Sequence, residues 1–398
     1  MTVKRYDVVV IGGGPVGSQV AYQLAKMGHS IAVLERKKSL AEPVCCTGII
    51  SQECASAFAI SESVILRRVN SARIFSSSGQ MLRLWRPEPQ ACIVDRPAFN
   101  AALASRAQSA GAEYVLDALV NDLEVGSHGV SIEIASQEEA RLFEARAAVI
   151  ATGFASKLIE KLGLGKINDF VMGTQAEVET IGVDEIEVYM GKQIAPDFFA
   201  WLVPTSPGRA WAGLLTRRAP GDYLRKFMSF LLDRGKIASG KTALSYGGIP
   251  VKPLAKSYGH RLIIAGTAAG QIKPTTGGGI YYGLLCADIA ANNLHRALES
   301  GNLSAGNLAR YETDWKRKLG QELRTGYRAR KFYERLSDIQ VDHIFDIMRM
   351  NGIVETLLKE DDLSFDWHGG AVSRLLRHQA LSTAFKIMKL PFLPERKN

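Results

Sequence analysis

The sequence predicts an α/β protein with three parts: a discontinuous Rossmann-like nucleotide-binding domain, an inserted antiparallel β-sheet domain and a C-terminal helical region. Three observations predict it. The chain opens on a β-α-β unit, "YDVVVIGGGPVGSQVAYQLAKMGHSIAVLERK". From about residue 170 to 217 apolar and polar residues alternate with period two, as in antiparallel strands. A buried strand and glycine turn, "RLIIAGTAAG", return only near residue 260. The expected division is therefore 1–169 with 260–300 for nucleotide binding, 170–259 for substrate, and 301–398 for the helical region.

Each element has a local reason. Asp7 to Ile11 is an apolar strand, and a helix follows from about Pro15 to Met27, stopped by Gly28. Ile31 to Leu34 is the second strand, with Glu35 at its end. "DRPAFNAALASRAQSAGAEYV" reads as a helix running into a strand. "SHGVSIEIA" and "EEARLFEARAAVIATG" read as a hairpin returning to the first sheet and ending at Gly153. "AEVETI", "EIEVYMG" and "FAWLVPTSPGRAWAGLLTR" supply the second sheet's strands. Leu224, Phe227, Met228, Leu231 and Leu232 mark one face of an amphipathic helix. Beyond residue 301, Leu308, Tyr311, Trp315 and Leu319 form a helical stripe.

Composition narrows the function classes. At 398 residues the chain is long enough for two or three domains. No run of eighteen apolar residues suggests a membrane span. The first residues enter a strand directly, so no signal peptide is expected. Five cysteines, Cys45, Cys46, Cys54, Cys92 and Cys286, show no zinc spacing and suit a reducing cytoplasm. The net charge is +9, and "KRKLGQELRTGYRARKFYER" holds eight Lys and Arg against two Glu. With Trp315, Tyr327, Phe332 and Tyr333 nearby, that segment is expected to dock peripherally on an anionic membrane surface rather than on nucleic acid.

Gly12, Gly14 and Gly17 form G-x-G-x-x-G between strand and helix, with Glu35 about twenty residues on. That spacing predicts a dinucleotide, with Glu35 accepting from ribose hydroxyls. Arg36 stands where it could stack on adenine or meet a phosphate, or lie in solvent. The long excursion after the first β-α-β unit, the hairpin ending at Gly153 and the late "AGTAAG" turn favour FAD over NAD. Thr267 in that turn would lie against the ribityl chain. The run Gly277, Gly278, Gly279 before Ile280 would let a helix N-terminus approach the flavin.

The chain resembles the geranylgeranyl reductase family, flavoproteins on the p-hydroxybenzoate hydroxylase fold. The resemblance spans about residues 5–300 and rests on "VVVIGGGPVGSQVA", "PVCCTGIIS", "VDRPAFNAAL", "APDFFAWLVP" and "GTAAGQIKPTTGGGIYYGLLCADIAA". It implies that Val16 and Glu35 touch FAD and that Cys46, Thr47 and Gly48 lie near the isoalloxazine. It further implies Arg96 at the phosphates or ribityl chain, Val120 beside adenine, and Gly279 and Ile280 over the pyrimidine. Two departures stand out. Thr267 replaces the family's usual aspartate, and Phe199, Trp201, Val203 and Pro204 occupy its Tyr-x-Trp-x-Phe-Pro segment.

The resemblance implies an enzyme that reduces isoprenoid double bonds by hydride from reduced flavin N5. The substrate would be an isoprenoid lipid or quinone, and the external electron donor NADPH or a ferredoxin-like carrier. Such a reaction also needs a proton, and Cys46, Tyr281, Tyr282 or an ordered water could supply it. Cys46 could equally be a small side chain packed under the ring. Trp201 and Phe199 would line the isoprenoid cavity. Lys273 and Lys252 could meet a phosphate head group or remain solvated. A flavin monooxygenase or halogenase of the same fold is the alternative, and a non-catalytic prenyl-binding flavoprotein the next.

Overall fold

The computed structural model describes residues 3–134, 141–154, 157–359, 364–379 and 381. The turn of the predicted hairpin at 135–140 and residues 382–398 of the predicted helical region lie outside them.

The first sheet runs in the order Tyr258–Gly259, Leu262–Ile264, Arg141–Ile150, Val3–Ile11, Ile31–Leu34, Glu113–Val115. Val3–Ile11 pairs in parallel with both neighbours, with Val8 opposite Ala147 on one side and Ile31 on the other. Its apolar run is continuous because both faces are covered. Val8, Val10 and Val33 pack under the helices Pro15–Lys26, Arg96–Ser109 and Ile280–Glu299. Val9, Ile11 and Leu34 pack under Ile132, Ile134 and Phe143 of the hairpin layer. The late strand Leu262–Ile264 joins beside Arg141–Ile150, so the sheet is left and re-entered as expected.

The second sheet has seven strands in the order Ser245–Pro250, Phe170–Glu179, Arg209–Thr216, Phe199–Ser206, Ile186–Met190, Ser71–Phe75, Met81–Trp85. The two alternating segments Phe170–Glu179 and Ile186–Met190 do not pair with each other. The hairpin Phe199–Thr216 is inserted between them. The hairpin of Ser71–Phe75 and Met81–Trp85 comes from the first 169 residues yet extends this sheet, through parallel pairing with Ile186–Met190. Helix Pro220–Asp233 lays Leu224, Phe227, Met228 and Leu231 on Ala200, Leu202, Ala212 and Leu214. Leu232 falls outside that stripe and is 44% exposed, because the next residue on a helix turns about 100° away.

Helix Ala305–Tyr333 buries the predicted stripe Leu308, Tyr311, Trp315 and Leu319. The expected interfacial aromatics are a correction. Trp315 is buried and its Nε1 donates to Ser257 Oγ at 2.8 Å. Tyr327 donates to Asp169 and Tyr333 to the Phe198 carbonyl. Phe332 packs beside Leu336, Val341 and Phe345. The basic segment is thus a packed helix whose aromatic edge faces the protein. Among the described residues no helix is long and apolar enough to cross a membrane.

Candidate functional site

A cleft of about 450 Å³ opens at the C-terminal ends of the first sheet's strands. Gly12, Gly14, Val16, Glu35, Arg36, Arg96, Val120, Gly153 and Thr267 line it, nine of the positions singled out in the sequence. Gly12 has φ +106°, and a Cβ there would lie 2.5 Å from the Ala151 carbonyl oxygen. Gly17 does not face the cleft, since its Cβ would lie 1.9 Å from the Gly12 oxygen. Its role is to seat helix on strand. Gly14 opens on free space and begins the helix without a side-chain cap or an acid in the first turn. Unclaimed N–H groups and the positive helix end therefore face the cleft.

Glu35 is 8% exposed, and its carboxylate accepts from the amides of Gly13 at 2.6 Å and Lys37 at 3.0 Å. The side chain is held rigid at the strand end. Arg36 is exposed. Arg96 begins its helix behind the Asp95 cap, which accepts from the Ala98 amide. Its guanidinium is buried, with Nε and Nη1 lacking any acceptor. Asn100, one turn later on the same face, leaves Oδ1 equally unpartnered in the cleft. The sequence reading missed Asn100, although its i, i+4 spacing from Arg96 was the available signal. Gly48 backs Arg96, its Cβ position lying 3.1 Å from Arg96 Cγ.

The late turn is braced from behind. Gly266 has φ +70°, and its amide donates to Gln271 Oε1 at 2.7 Å. Gln271 Nε2 in turn donates to Tyr311, whose hydroxyl donates to the Ile264 carbonyl. The three-glycine run also has a packing use. Gly277 has φ +76°, and its Cβ would lie 2.9 Å from Leu215 Cδ1. Cβ atoms at Gly278 and Gly279 would meet Lys273 Cε at 2.7 Å and Ile272 Cγ1 at 3.0 Å. The glycines thus make room for this chain's own side chains. Gly278, Gly279 and Ile280 are not among the residues lining the cleft, although the helix from Ile280 starts uncapped.

The candidate proton donors separate. Tyr281 is a correction. Its hydroxyl donates to Glu53, and burial, then the Glu53 carboxylate, push its pKa far up. It packs on Phe58 and Trp367, turned from the cleft. Tyr282 is buried and donates to the Asp366 carbonyl at 2.8 Å. Cys45 and Cys46 are free thiols, and burial raises Cys45. Neither Cys46 nor Thr47 lines the cleft, and Thr47 reaches the second sheet, where its Oγ1 donates to Gln175 Oε1 at 3.0 Å. Phe199 and Trp201 meet edge to face on that sheet. Lys273 is neither solvated nor free for a head group. It is 5% exposed and pairs with Asp366 at 2.7 Å.

The cleft fits FAD on this chain's own evidence: a buried cation without an acceptor, an uncapped glycine helix start and an anchored acid at a strand end. A family model of FAD dependent oxidoreductases matches residues 7–57. Digeranylgeranylglycerophospholipid reductase 2 of Methanothermobacter thermautotrophicus is 31% identical over 353 residues, covering 85% of this chain and 90% of that protein. Digeranylgeranylglycerophospholipid reductase of Methanocaldococcus jannaschii is 29% identical over 355 residues, covering 86% of this chain and 90% of that protein. A geranylgeranyl bacteriochlorophyll reductase-like structure from Thermoplasma acidophilum superposes with a TM-score of 0.85 at 24% identity, over 98% and 99% of the two chains. A flavin-dependent brominase shares the fold at TM-score 0.71 and 15% identity, over 97% and 98%. FAD is the cofactor of this oxidoreductase, and the chain belongs to the geranylgeranyl reductase family.

Proposed function

We propose that the protein reduces carbon–carbon double bonds in the isoprenoid chains of a membrane lipid. The observation that carries this reading is the surface beside the cleft. Phe199, Trp201, Leu215 and Ile249 form a partly buried apolar cluster on one face of the second sheet. Phe154, which lines the cleft, lies across Gly248 on the strand that carries Ile249, so this apolar face adjoins the cleft. The names of the relatives support the same substrate class.

Bound and reduced FAD supplies the hydride. The chain's residues do the rest. Arg96 and the helix start at Gly14 neutralise the anionic part of the cofactor, and Glu35 holds a hydroxyl-bearing part in register. The apolar face excludes water and orients the alkene, which matters because an isolated double bond is a poor hydride acceptor. Tyr281 and Tyr282 are committed to Glu53 and Asp366, which leaves Cys46 and water as the proton sources near the cleft.

The test is anaerobic incubation of chemically reduced protein with digeranylgeranylglycerophospholipid and mass spectrometry of the lipid. A gain of about two mass units per double bond is expected, one hydride plus one proton. Unchanged lipid, together with a product formed only when oxygen is admitted, would replace this reading with an oxygenating one.

A further inference from the structure

The edge of the first sheet away from the cleft holds a second cluster of polar side chains. Helices Pro15–Lys26 and Ile280–Glu299 lie side by side and run parallel. Val16 meets Gly283, Gln19 and Gln23 donate to Asp288 at 2.6 and 2.9 Å, and His29 meets His295. The two helices therefore end together. His29 precedes strand Ile31–Leu34, whereas Glu35 at that strand's other end lines the cleft. About 22 Å of helix separates Ile280 from His295 at 1.5 Å per residue.

Local rules place each side chain. Gly28 has φ +87° and ends the first helix in a Schellman motif. Its amide donates to the Ala25 carbonyl, and the His29 amide donates to the Leu24 carbonyl. The backbone of His29 is thus fixed where it leaves the helix. His295 and Glu299 are four residues apart and share one helix face. The two imidazoles are half-buried, with His29 Nε2 2.9 Å from His295 Nδ1 and the ring planes at 61°. A nitrogen from each ring and a Glu299 carboxylate oxygen all lie within 4.8 Å of one another. Ligand atoms of a tetrahedral zinc site, with bonds of about 2.0–2.1 Å, stand about 3.3 Å apart. The rings need to part only slightly to reach that spacing, and the exposed Glu299 side chain is free to swing in. Two negative helix ends meet here, which favours a cation. Asp7 and Arg146, the neighbouring charges that act on His29, pair with each other at 3.1 Å and so largely cancel.

We propose that His29, His295 and Glu299 bind one divalent transition-metal ion of the Zn²⁺ class, which clips the turn after the first helix to the end of the helix from Ile280. Two imidazoles and a carboxylate suit such an ion better than Ca²⁺ or Mg²⁺, which take oxygen ligands. Water completes the fourth position. In the metal-free pair one facing nitrogen holds a proton that the other accepts. Binding moves that proton to the far nitrogen of the same ring, so both facing lone pairs become ligands and both rings stay neutral. The clip fixes the register of two parallel helices at the end away from the cofactor. It is independent of the prenyl-reductase reading.

The experiment uses FAD-loaded full-length protein, stripped of metal with a chelator and then desalted. Zn²⁺ uptake is measured by calorimetry, and hydrogen exchange by mass spectrometry with and without the ion. One Zn²⁺ per chain is expected, with slowed exchange in residues 28–31 and 296–301. Losing a partner one shell beyond a metal already weakens binding about 10- to 100-fold. His29→Gln and His295→Gln, which remove ligands, should each weaken Zn²⁺ by about 100-fold or more, and Glu299→Gln by about 10-fold. The same variants should lose the slowed exchange at equal Zn²⁺. Retained FAD shows that a variant is folded, and Glu299→Gln, on an exposed side chain, carries the test if a histidine variant is not. Wild type that takes up no Zn²⁺, a variant that binds it as wild type does, or slowed exchange confined to other segments overturns the proposal, the second by placing the ion elsewhere, such as at Cys45 and Cys46.

Discussion

Arg96 is 9% exposed, with its guanidinium stacked 5.0 Å from the Phe99 ring and short of acceptors at two nitrogens. A buried ion without partners costs several kcal/mol even after local relaxation. FAD phosphate or ribityl oxygens would remove that cost, so the apo chain carries a strain that the cofactor relieves. Replacement by methionine keeps the length and removes the charge. Arg96→Met should therefore hold or raise the thermal midpoint of the apoprotein. It should also weaken FAD by about 1.5–3 kcal/mol, roughly 10- to 150-fold. Calorimetry of both forms and a flavin fluorescence titration check the two halves. Unchanged FAD affinity would mean that Arg96 has a structural role only.

At the scale of elements, residues 364–369 form a strap over the loop that begins at Lys273. Asp366 pairs with Lys273, and Trp367 lies against the rings of Tyr281 and Tyr282. The amides of His368 and Gly369 donate to Glu322. The His368 ring donates from Nε2 to the Phe365 carbonyl, which leaves Nδ1 to accept from Thr275 Oγ1 at 2.6 Å. That arrangement requires the neutral ring. Burial, then the charge of Lys273, holds the His368 pKa down at about 4. In the unfolded chain it returns toward 6.5. The unfolded state thus binds the extra proton between these values, and stability falls as pH drops from about 6.5 to about 4. Glu322 works in the opposite sense, since burial raises its pKa. The informative quantity is therefore the difference between wild type and His368→Gln. Urea midpoints measured between pH 7 and 4 should fall more steeply for wild type. Parallel curves would show that the strap does not sense the proton.

At the scale of the whole molecule, the basic helix keeps Lys316, Arg317, Lys318, Arg324, Arg328 and Arg335 exposed while its aromatics face inward. A lipid-borne substrate must be met at a bilayer, so we expect attachment by charge alone. Each cation near an anionic surface contributes about 1 kcal/mol, and the Debye length shrinks from about 10 Å at 0.1 M salt to about 3 Å at 1 M. Flotation with phosphatidylglycerol vesicles should succeed at low salt and fail at 1 M, while neutral vesicles recover nothing at either. Salt-resistant recovery would require an apolar anchor elsewhere, and no recovery on anionic vesicles would remove the surface from the proposal.

The sequence by itself determined the first β-α-β unit, the departure and return of the first sheet, and six of the cleft-lining positions, while the family resemblance supplied Val16, Arg96 and Val120. Those features are local. A glycine with positive φ, an acid at a strand end and a period of two or 3.6 are all written within a few residues. Tertiary structure alone decided what each exposed-looking side chain meets. Tyr281 finds Glu53 at a separation of 228 residues, and Lys273 finds Asp366 at 93. The three glycines before Ile280 looked like room for a cofactor. They are also room for Leu215, Lys273 and Ile272, because close packing in a folded chain is set by whichever distant side chain arrives there.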